Sequence, residues 1–364
     1  MSKTAKIIIA LLTGFFIIFM IWRFSHIVFY LLTSAVLSLI GRPVVKRLNA
    51  LHLWKFKIPN GVSAFVTLLL IMLAFISFFG LLFPLLADQA DIISNINLDA
   101  LTKTLQEPLS DFELLLKKYN LLQHDDTFNK LINNQIAQIF SFASFSHTLT
   151  SIISLTGSIF LALFSIMFFT FFFLKDAYLL NEIIDMFTPD KYETQVKHVL
   201  AQTKHLLSRY FIGLVVEIFI MMTLFSIGLT LFGIQNALLI GFLGGLMNII
   251  PYLGPLIGAL IGILLAVSTS LSHGYYSDIL PLALMVACVF FTAKLIDDII
   301  LQPLIYSNSV NAHPIEIFFI ILMGASIAGI PGMILAVPFY TVLRIVAKEF
   351  LSQLKIVRKL TRNI

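Results

Sequence analysis

Residues 248–260 read NIIPYLGPLIGAL, which sets Pro251, Gly254, Pro255 and Gly258 inside one of the most apolar parts of the chain. A proline within a helix removes a backbone hydrogen bond and clashes with the preceding turn. In lipid an unpaired backbone group costs several kcal/mol. The flanking apolar runs, Ala237 to Ile250 and Leu256 to Leu271, hold 14 and 16 residues. Each is shorter than the roughly 20 residues that carry a helix across the hydrocarbon layer. Two half-length segments joined at a proline-glycine corner predict a hairpin that enters the membrane and returns to the same side. Such irregular backbone is tolerated at depth when it is buried in protein or lines a watery cavity.

The same design recurs in IEIFFIILMGASIAGIPGMILAVPFYTVL, residues 315–343, where Gly329, Pro331 and Gly332 cut an apolar run and Pro338 follows. Paired, short, glycine- and proline-interrupted segments point to the binding site of a transporter.

Composition sets the solvent. The chain of 364 residues is 59% hydrophobic and 12% charged, with a mean hydropathy of +0.97, whereas soluble proteins average about 25% charged residues. This is an integral membrane protein. Cys288 is the only cysteine, which excludes an intrachain disulfide and a cysteine-based metal site.

The expected fold is all-α, with about six to eight transmembrane helices, two re-entrant hairpins and a small helical insert outside the membrane. Apolar runs at 7–22, 27–40, Val62 to Leu86, Thr148 to Leu174 and Tyr210 to Phe232 supply five spans, and Leu280 to Leu301 another. The first follows a lysine-bearing start without a small-residue cleavage site and is read as an uncleaved span. The expected organisation is 1–87 as three spans, 88–147 as an extracytoplasmic helical domain and 148–174 as the fourth span. Residues 175–209 form a cytoplasmic amphipathic linker, 210–347 a core with broken helices and 348–364 a basic tail. Arg42, Lys46, Arg47, Lys55 and Lys57 lie between the second and third runs, and six basic residues against Glu349 alone occupy the last 21 positions. Both segments are expected to be cytoplasmic, as are both termini. Full double crossings in place of the hairpins would keep the same parity, so charge does not choose between them and length favours hairpins. In the linker, Thr188 reads as an N-cap with Pro189 at the first helical position.

Between Arg209 and Arg344 the only acids and bases other than histidine are Glu217, Asp278, Lys294, Asp297, Asp298 and Glu316. Lys294, Asp297 and Asp298 share one apolar run at helical spacings of three and four. Charges at membrane depth are expensive and face a cavity or one another. The cluster therefore either pairs near the cytoplasmic end of its span or offers an aspartate to a proton, a cation or a polar substrate group. Glu217 is a further buried candidate, either a proton site or a hydrogen-bond partner of Ser208 or Thr223. Asn248, Tyr252 and the carbonyls freed around Pro251 touch either a substrate or one another. His198 and His205 are seven apart without a third ligand, so neither a metal nor a cofactor is expected. His313 stands before Pro314 and reads either as a proton relay, since histidine titrates near neutral pH, or as a residue held extended before a proline, marking the start of the next helix. No HExxH, GxSxG or Walker motif is present, which argues against an enzyme and against ATP-driven pumping by this chain.

NIIPYLGP, the IDD triplet, LQPLIYSNSVNAHP (301–314) and GIPGMILAVP (329–338) stand in an order and spacing that resembles the autoinducer-2 exporter family of permeases. The resemblance covers the layout of nearly the whole chain and is motif-specific from about Arg209 to Ala347. Pro251, Gly254, Pro255, Asp297, Gln302, Pro303, Ser309, Val310, His313, Pro314, Gly329, Gly332 and Pro338 match its pattern. The resemblance implies a multi-pass protein of the bacterial inner membrane that exports a small solute or exchanges sodium or lithium for protons. It adds Gln302 and Pro303 to the candidate site. Leu304, Ser307 and Asn308 stand where many relatives carry a basic residue, a glycine and a lysine, and Asp298 where an asparagine is frequent, so the charge of this loop differs. The partners expected are a small-molecule or ion substrate and the lipid bilayer, with a homo-oligomer left open and no nucleic acid. A membrane scaffold whose outer domain binds a partner is the alternative to transport.

Overall fold

The computed structural model describes residues 23–50, 52–53, 56–94, 156–176, 178–272, 279–306 and 313–351, together with Leu12, Phe16, Phe19 and Met20. Most of the first apolar run, the insert beyond Ser94, the loop with Ser309 and Val310, and the basic tail beyond Leu351 lie outside the described residues. Apart from one antiparallel pair of two-residue strands, β1 (His52–Leu53) and β2 (Phe56–Lys57), the regular elements described are helical. They are α1 (Ser25–Ala50), α2 (Asn60–Ser94), α3 (Thr156–Lys175), α4 (Leu179–Phe187) and α5 (Glu193–Leu231). After these come α6 (Ala237–Met247), α7 (Leu253–Ser272), α8 (Ile279–Ile296), α9 (Gln302–Tyr306) and α10 (Pro314–Leu351). Six helical runs among the described residues are long and apolar enough to cross a membrane. The protein is an all-α, multi-pass membrane protein.

The chain divides into two compact units, Met1–Phe75 with Leu155–Phe211, and Ile76–Ser154 with Ile212–Ile364. In the first, α1 turns a stripe of small residues inward: Ser34, Ser38, Gly41 and Val45 are buried at spacings of four, three and four. Ser34 donates to the Ile166 carbonyl of α3 at 2.9 Å, and a Cβ on Gly41 would meet Thr67 at 3.0 Å and Leu174 at 3.1 Å. Lipid tails are as apolar as leucine, so helix association in a membrane rests on such close packing and interhelical hydrogen bonds. The linker read from sequence divides differently in the structure. Thr188 closes α4, its hydroxyl donating to the Ile184 carbonyl at 2.7 Å. It is not an N-cap, because that preceding helix had already claimed its hydroxyl. Residues 193–209 are the first turns of α5, which continues without a break to Leu231.

The second unit contains the opening motif. The arms α6 and α7 run antiparallel, with Gly244 matched to Gly258 and Ile240 to Gly262. Arm α6 has only 11 residues, too few to span. Arm α7 begins at Leu253, three residues earlier than the apolar run implied, because Pro255 fits within a first turn whose N–H groups lack intrahelical partners anyway. Its 20 residues reach about 30 Å, so this half is long enough to cross. Gly241 and Gly245 bring α6 against the Ser226 and Met222 backbone of α5, where an added Cβ would lie 2.6 Å from either amide nitrogen. Phe290 of α8 stacks on Phe225 of α5 with centroids 4.2 Å apart and fills the space left by Gly244, Gly258 and Gly262. Around this stack Met221, Leu229, Leu239, Ile240 and Val286 are buried.

By length alone 315–351 could be one span, but Ala328 and Gly329 leave helical geometry (Gly329 φ +59°, ψ −140°) and reverse the chain. Two distant contacts fix the register of the arms, 314–327 and 330–351. Gly324 lies against the Gly332 carbonyl, and twelve residues from the centre on either side Tyr340 donates to Glu316 at 2.6 Å. Residues eight apart on a straight helix would be about 12 Å apart. The second broken segment is therefore a helical hairpin.

Replacing Gly332 by alanine would place a Cβ 2.0 Å from the Gly324 carbonyl oxygen, and the arms would have to separate. The expected cost is about 1–3 kcal/mol, seen as a lowered melting midpoint in detergent. Gly80→Ala, whose Cβ meets nothing within 4 Å, should leave the midpoint unchanged or raise it. Equal midpoints for the two variants would contradict the close approach.

Candidate functional site

Beyond Ile296 the chain takes one wide π turn, Asp297–Leu301, in which the Gln302 N–H donates to the Asp297 carbonyl five residues back. Single π turns inside helices occur frequently at functional sites. This turn gathers four polar side chains. Lys294 Nζ lies 2.7 Å from Asp297 Oδ2 and 2.8 Å from Asp298 Oδ1, and Gln302 Nε2 donates to the same two oxygens at 3.0 and 2.9 Å. The two ion pairs differ in environment. Asp298 is half exposed while Asp297 is fully buried, so the Lys294–Asp297 pair contributes the larger electrostatic interaction. Its second carboxylate oxygen, Oδ1, is buried without a hydrogen-bond partner among the described residues. A buried carboxylate left half satisfied is a costly arrangement.

The corner of the first hairpin stands beside this network. Its backbone is kept in hydrogen bonds despite Pro251: Ile249 N–H reaches Leu246 O at 3.2 Å, Ile250 N–H reaches Met247 O at 3.0 Å, and Gly254 N–H reaches Ile250 O at 2.8 Å. The Pro251 carbonyl accepts from Leu253 N–H at 2.8 Å. Gly254 has to be glycine, because a Cβ would fall 1.9 Å from the Met247 carbonyl oxygen. Tyr252 adopts φ +65°, a left-handed conformation costing a non-glycine residue of order 1–3 kcal/mol. That conformation leaves the ring partly exposed, within electrostatic reach of Lys294 and Asp298. The Tyr252 ring also meets Phe318 of the second hairpin edge-on at 6.3 Å.

Asn248, at the end of α6, donates to Glu217 of α5 at 3.1 Å, with both side chains buried. Of the partners weighed from sequence, Ser208 donates instead to the Leu39 carbonyl and Thr223 to that of Phe219. Phe290 lies against Gly244, so four residues further along each helix Lys294 comes to the level of Asn248. The structure thus brings Glu217, Asn248, Tyr252, Lys294, Asp297, Asp298 and Gln302 to one end of this unit. Pro251, Gly254 and Pro255 shape the corner, and Pro303 follows Gln302 at the exposed start of α9. Gly329 and Gly332 are part of the second reversal rather than of the charged network. His313 precedes α10, its Nδ1 accepting the Ile315 N–H at 3.3 Å, which makes it the marker of a helix start. Among the described residues no group of histidine, cysteine or acidic side chains is placed to hold a metal ion.

Two polar groups escaped the sequence reading. Tyr340 and Glu316 tie the arms of the second hairpin, and the Arg344 guanidinium, on the same arm as Tyr340, lies over its ring at 5.6 Å. The positions of Glu316 and Tyr340 on either side of the Gly329 break were the available signal. Gln89 near the end of α2 accepts from Asn236 at 2.9 Å and donates to Thr269 at 3.3 Å, joining α2, the α5–α6 turn and α7. No spacing rule pairs residues so far apart.

A multi-pass helical bundle with two glycine- and proline-broken hairpins is a membrane protein of transporter type. Residues 7–352 match the AI-2E family transporter description, and the chain belongs to that family of membrane transport proteins. It is 26% identical over 332 residues to "Putative transport protein YueF" of Bacillus subtilis, covering 88% of this chain and 83% of that one. "Putative transport protein YrrI" of the same organism is 28% identical over 187 residues, about half of each chain (51% and 50%). The archaeal "Putative transport protein MJ1177" of Methanocaldococcus jannaschii is 22% identical over 87% of both chains.

Removing Lys294 would leave Asp297 buried beside Gln302 alone. Lys294→Met should lower stability by about 3 kcal/mol, and adding Asp297→Asn should restore part of it. A double-mutant cycle on detergent unfolding reads the coupling; strictly additive effects would show that the pair is not coupled.

Proposed function

We propose that the chain is a secondary transporter of a small polar solute, its flux coupled to movement of protons or sodium, with its site at the π turn and the Tyr252 corner. The observation that carries this reading is Asp297 Oδ1, a buried carboxylate oxygen with no described partner. The other oxygen of the same group is already held by Lys294 and Gln302. An acceptor in this state binds a proton, a cation or the N–H or O–H of a solute, and Lys294 supplies the counter-charge when nothing is bound. Glu217 and Asn248 form a second polar wall, and the strained Tyr252 offers a ring and a hydroxyl. In this reading both broken segments are re-entrant, and the termini are cytoplasmic at the bacterial inner membrane. Residues 88–147 lie outside, and 210–347 form the transport core.

The test uses purified protein in proteoliposomes with an imposed proton or sodium gradient, screened against polyols, carboxylates, furanone-type signalling molecules and Na⁺. Gradient-dependent flux of at least one solute or counter-ion is expected. Asp297→Asn and Asp298→Asn should reduce it at least tenfold while membrane insertion is retained, a loss equivalent to about 1.4 kcal/mol or more. Absence of any flux from folded protein would remove the transport reading. Full flux with an unchanged pH profile in both variants would reduce the aspartates to structural pairing.

A further inference from the structure

The first unit has a second polar and apolar boundary, unrelated to the charged π turn. Helix α3 ends at Lys175 and α4 starts at Leu179, so three residues separate them, and the four steps of chain reach at most about 14 Å. Helix α3 is strongly apolar and exposes Phe160, Leu161, Leu163 and Phe164, the surface that a lipid-facing helix presents. Helix α4, with the sequence LLNEIIDMF, is sharply two-sided. Its polar side, Asn181, Glu182 and Asp185, faces Lys197 and Lys204 of α5 across a cavity of about 430 Å³. Among the described residues nothing covers the apolar edge: Ile183 is 45% exposed, Met186 83% and Phe187 85%. Tyr178 lines the cavity on the polar side, and just past α4 Tyr192 is partly exposed, with Lys191 Nζ 5.2 Å from its ring centre.

We propose that α4 is an interfacial anchor, with Ile183, Met186 and Phe187 seated at the boundary between headgroups and acyl chains in the leaflet where α3 ends. Three observations select lipid as the occupant. The short tether holds α4 close to the level at which the apolar helix α3 ends. The polar side is turned toward this chain's own α5, which fixes the edge as the outward one. Tyr192 beside Lys191 is a pair of residue types that settles at headgroup level, with ring in the apolar layer and polar tip in water. Helix α4 lies within 175–209, the stretch that the sequence reads as an amphipathic linker.

The reporter is Phe187→Trp in a chain whose Trp22 and Trp54 are replaced by phenylalanine, reconstituted in phosphatidylcholine nanodiscs. Emission is compared between ordinary lipid and lipid brominated near the top of the acyl chain. The expected result is blue-shifted emission that loses at least half its intensity to the brominated lipid. Lys204→Trp, on the cavity side, should lose little. Water-like, unquenched emission at position 187 would overturn the proposal. Blue-shifted emission that bromine does not quench would overturn it too, since the edge would then be covered by protein, such as a second copy of this chain. If the Phe187 variant does not fold, Met186→Trp gives the same reading.

Discussion

Every other feature of the second unit depends on one constraint: a backbone amide inside hydrocarbon has to find a partner within the protein. Helix α6 ends at Met247, deep in an apolar sequence, and the chain turns through Pro251 and Tyr252 with a ladder of short bonds through Leu246, Met247, Ile250 and Pro251. That ladder is tight. It closes only because Gly254 lets the backbone of the next helix pass over the Met247 carbonyl. The corner is thus fixed by hydrogen bonds that leave no room for a side chain at 254, and the direction of α7 follows from it.

Glycine performs the same service wherever the helices of this unit meet. Gly241 and Gly245 let α5 and α6 touch along their backbones, and Gly244, Gly258 and Gly262 make the slot that Phe290 fills. Within a bilayer there is little hydrophobic gain from moving a leucine off lipid and onto protein. Dispersion contacts at short range therefore have to hold these helices together. An aromatic ring laid across three glycines and stacked on Phe225 gives many such contacts at one place. Four residues past that ring comes Lys294. The packing that fixes Phe290 therefore also sets the height of the charged turn.

Much of this arrangement was legible in the sequence, and the parts that were not share a cause. Short apolar runs cut by Pro251, Gly254 and Pro255, and again by Gly329 and Gly332, led to hairpins because helix length against membrane thickness is a simple ratio. Lys294 was paired with both aspartates because three and four are the spacings of an α-helix. Gln302 lies five residues from Asp297, a spacing an α-helix places on different faces, and it reaches that carboxylate because the π turn widens the helix there. Only family resemblance named it beforehand. The extra length of α7 was missed because Pro255 was counted as a break, although a proline in the first turn removes no bond. The Gln89–Asn236–Thr269 cluster and the Asn248–Glu217 bond join residues distant in the chain, and such contacts follow from packing that local pattern does not encode. Glu316 and Tyr340 could have been matched once the reversal was placed at Ala328–Gly329.

The buried hydroxyls show how differently Asp297 is treated. Thr67, Thr170, Ser268 and Thr341 each return a hydrogen bond to the carbonyl four residues back, the inexpensive way to hide a hydroxyl within a membrane helix. A carboxylate cannot do this, because it has no proton to donate when ionised. Asp297 is held through one oxygen by a lysine and an amide, while the other faces the interior without a described partner. Within electrostatic reach of Lys294 and Asp298 in the same network, Tyr252 carries the cost of a left-handed backbone. Either feature alone would be an ordinary local imperfection. Their juxtaposition where a helix break, a π turn and an ion pair meet is hard to explain by stability, since a leucine at 297 and a glycine at 252 would relieve both. The site proposed above, which would have to accept and release a polar guest, has a reason to keep an acceptor unfilled and a ring displaced beside it.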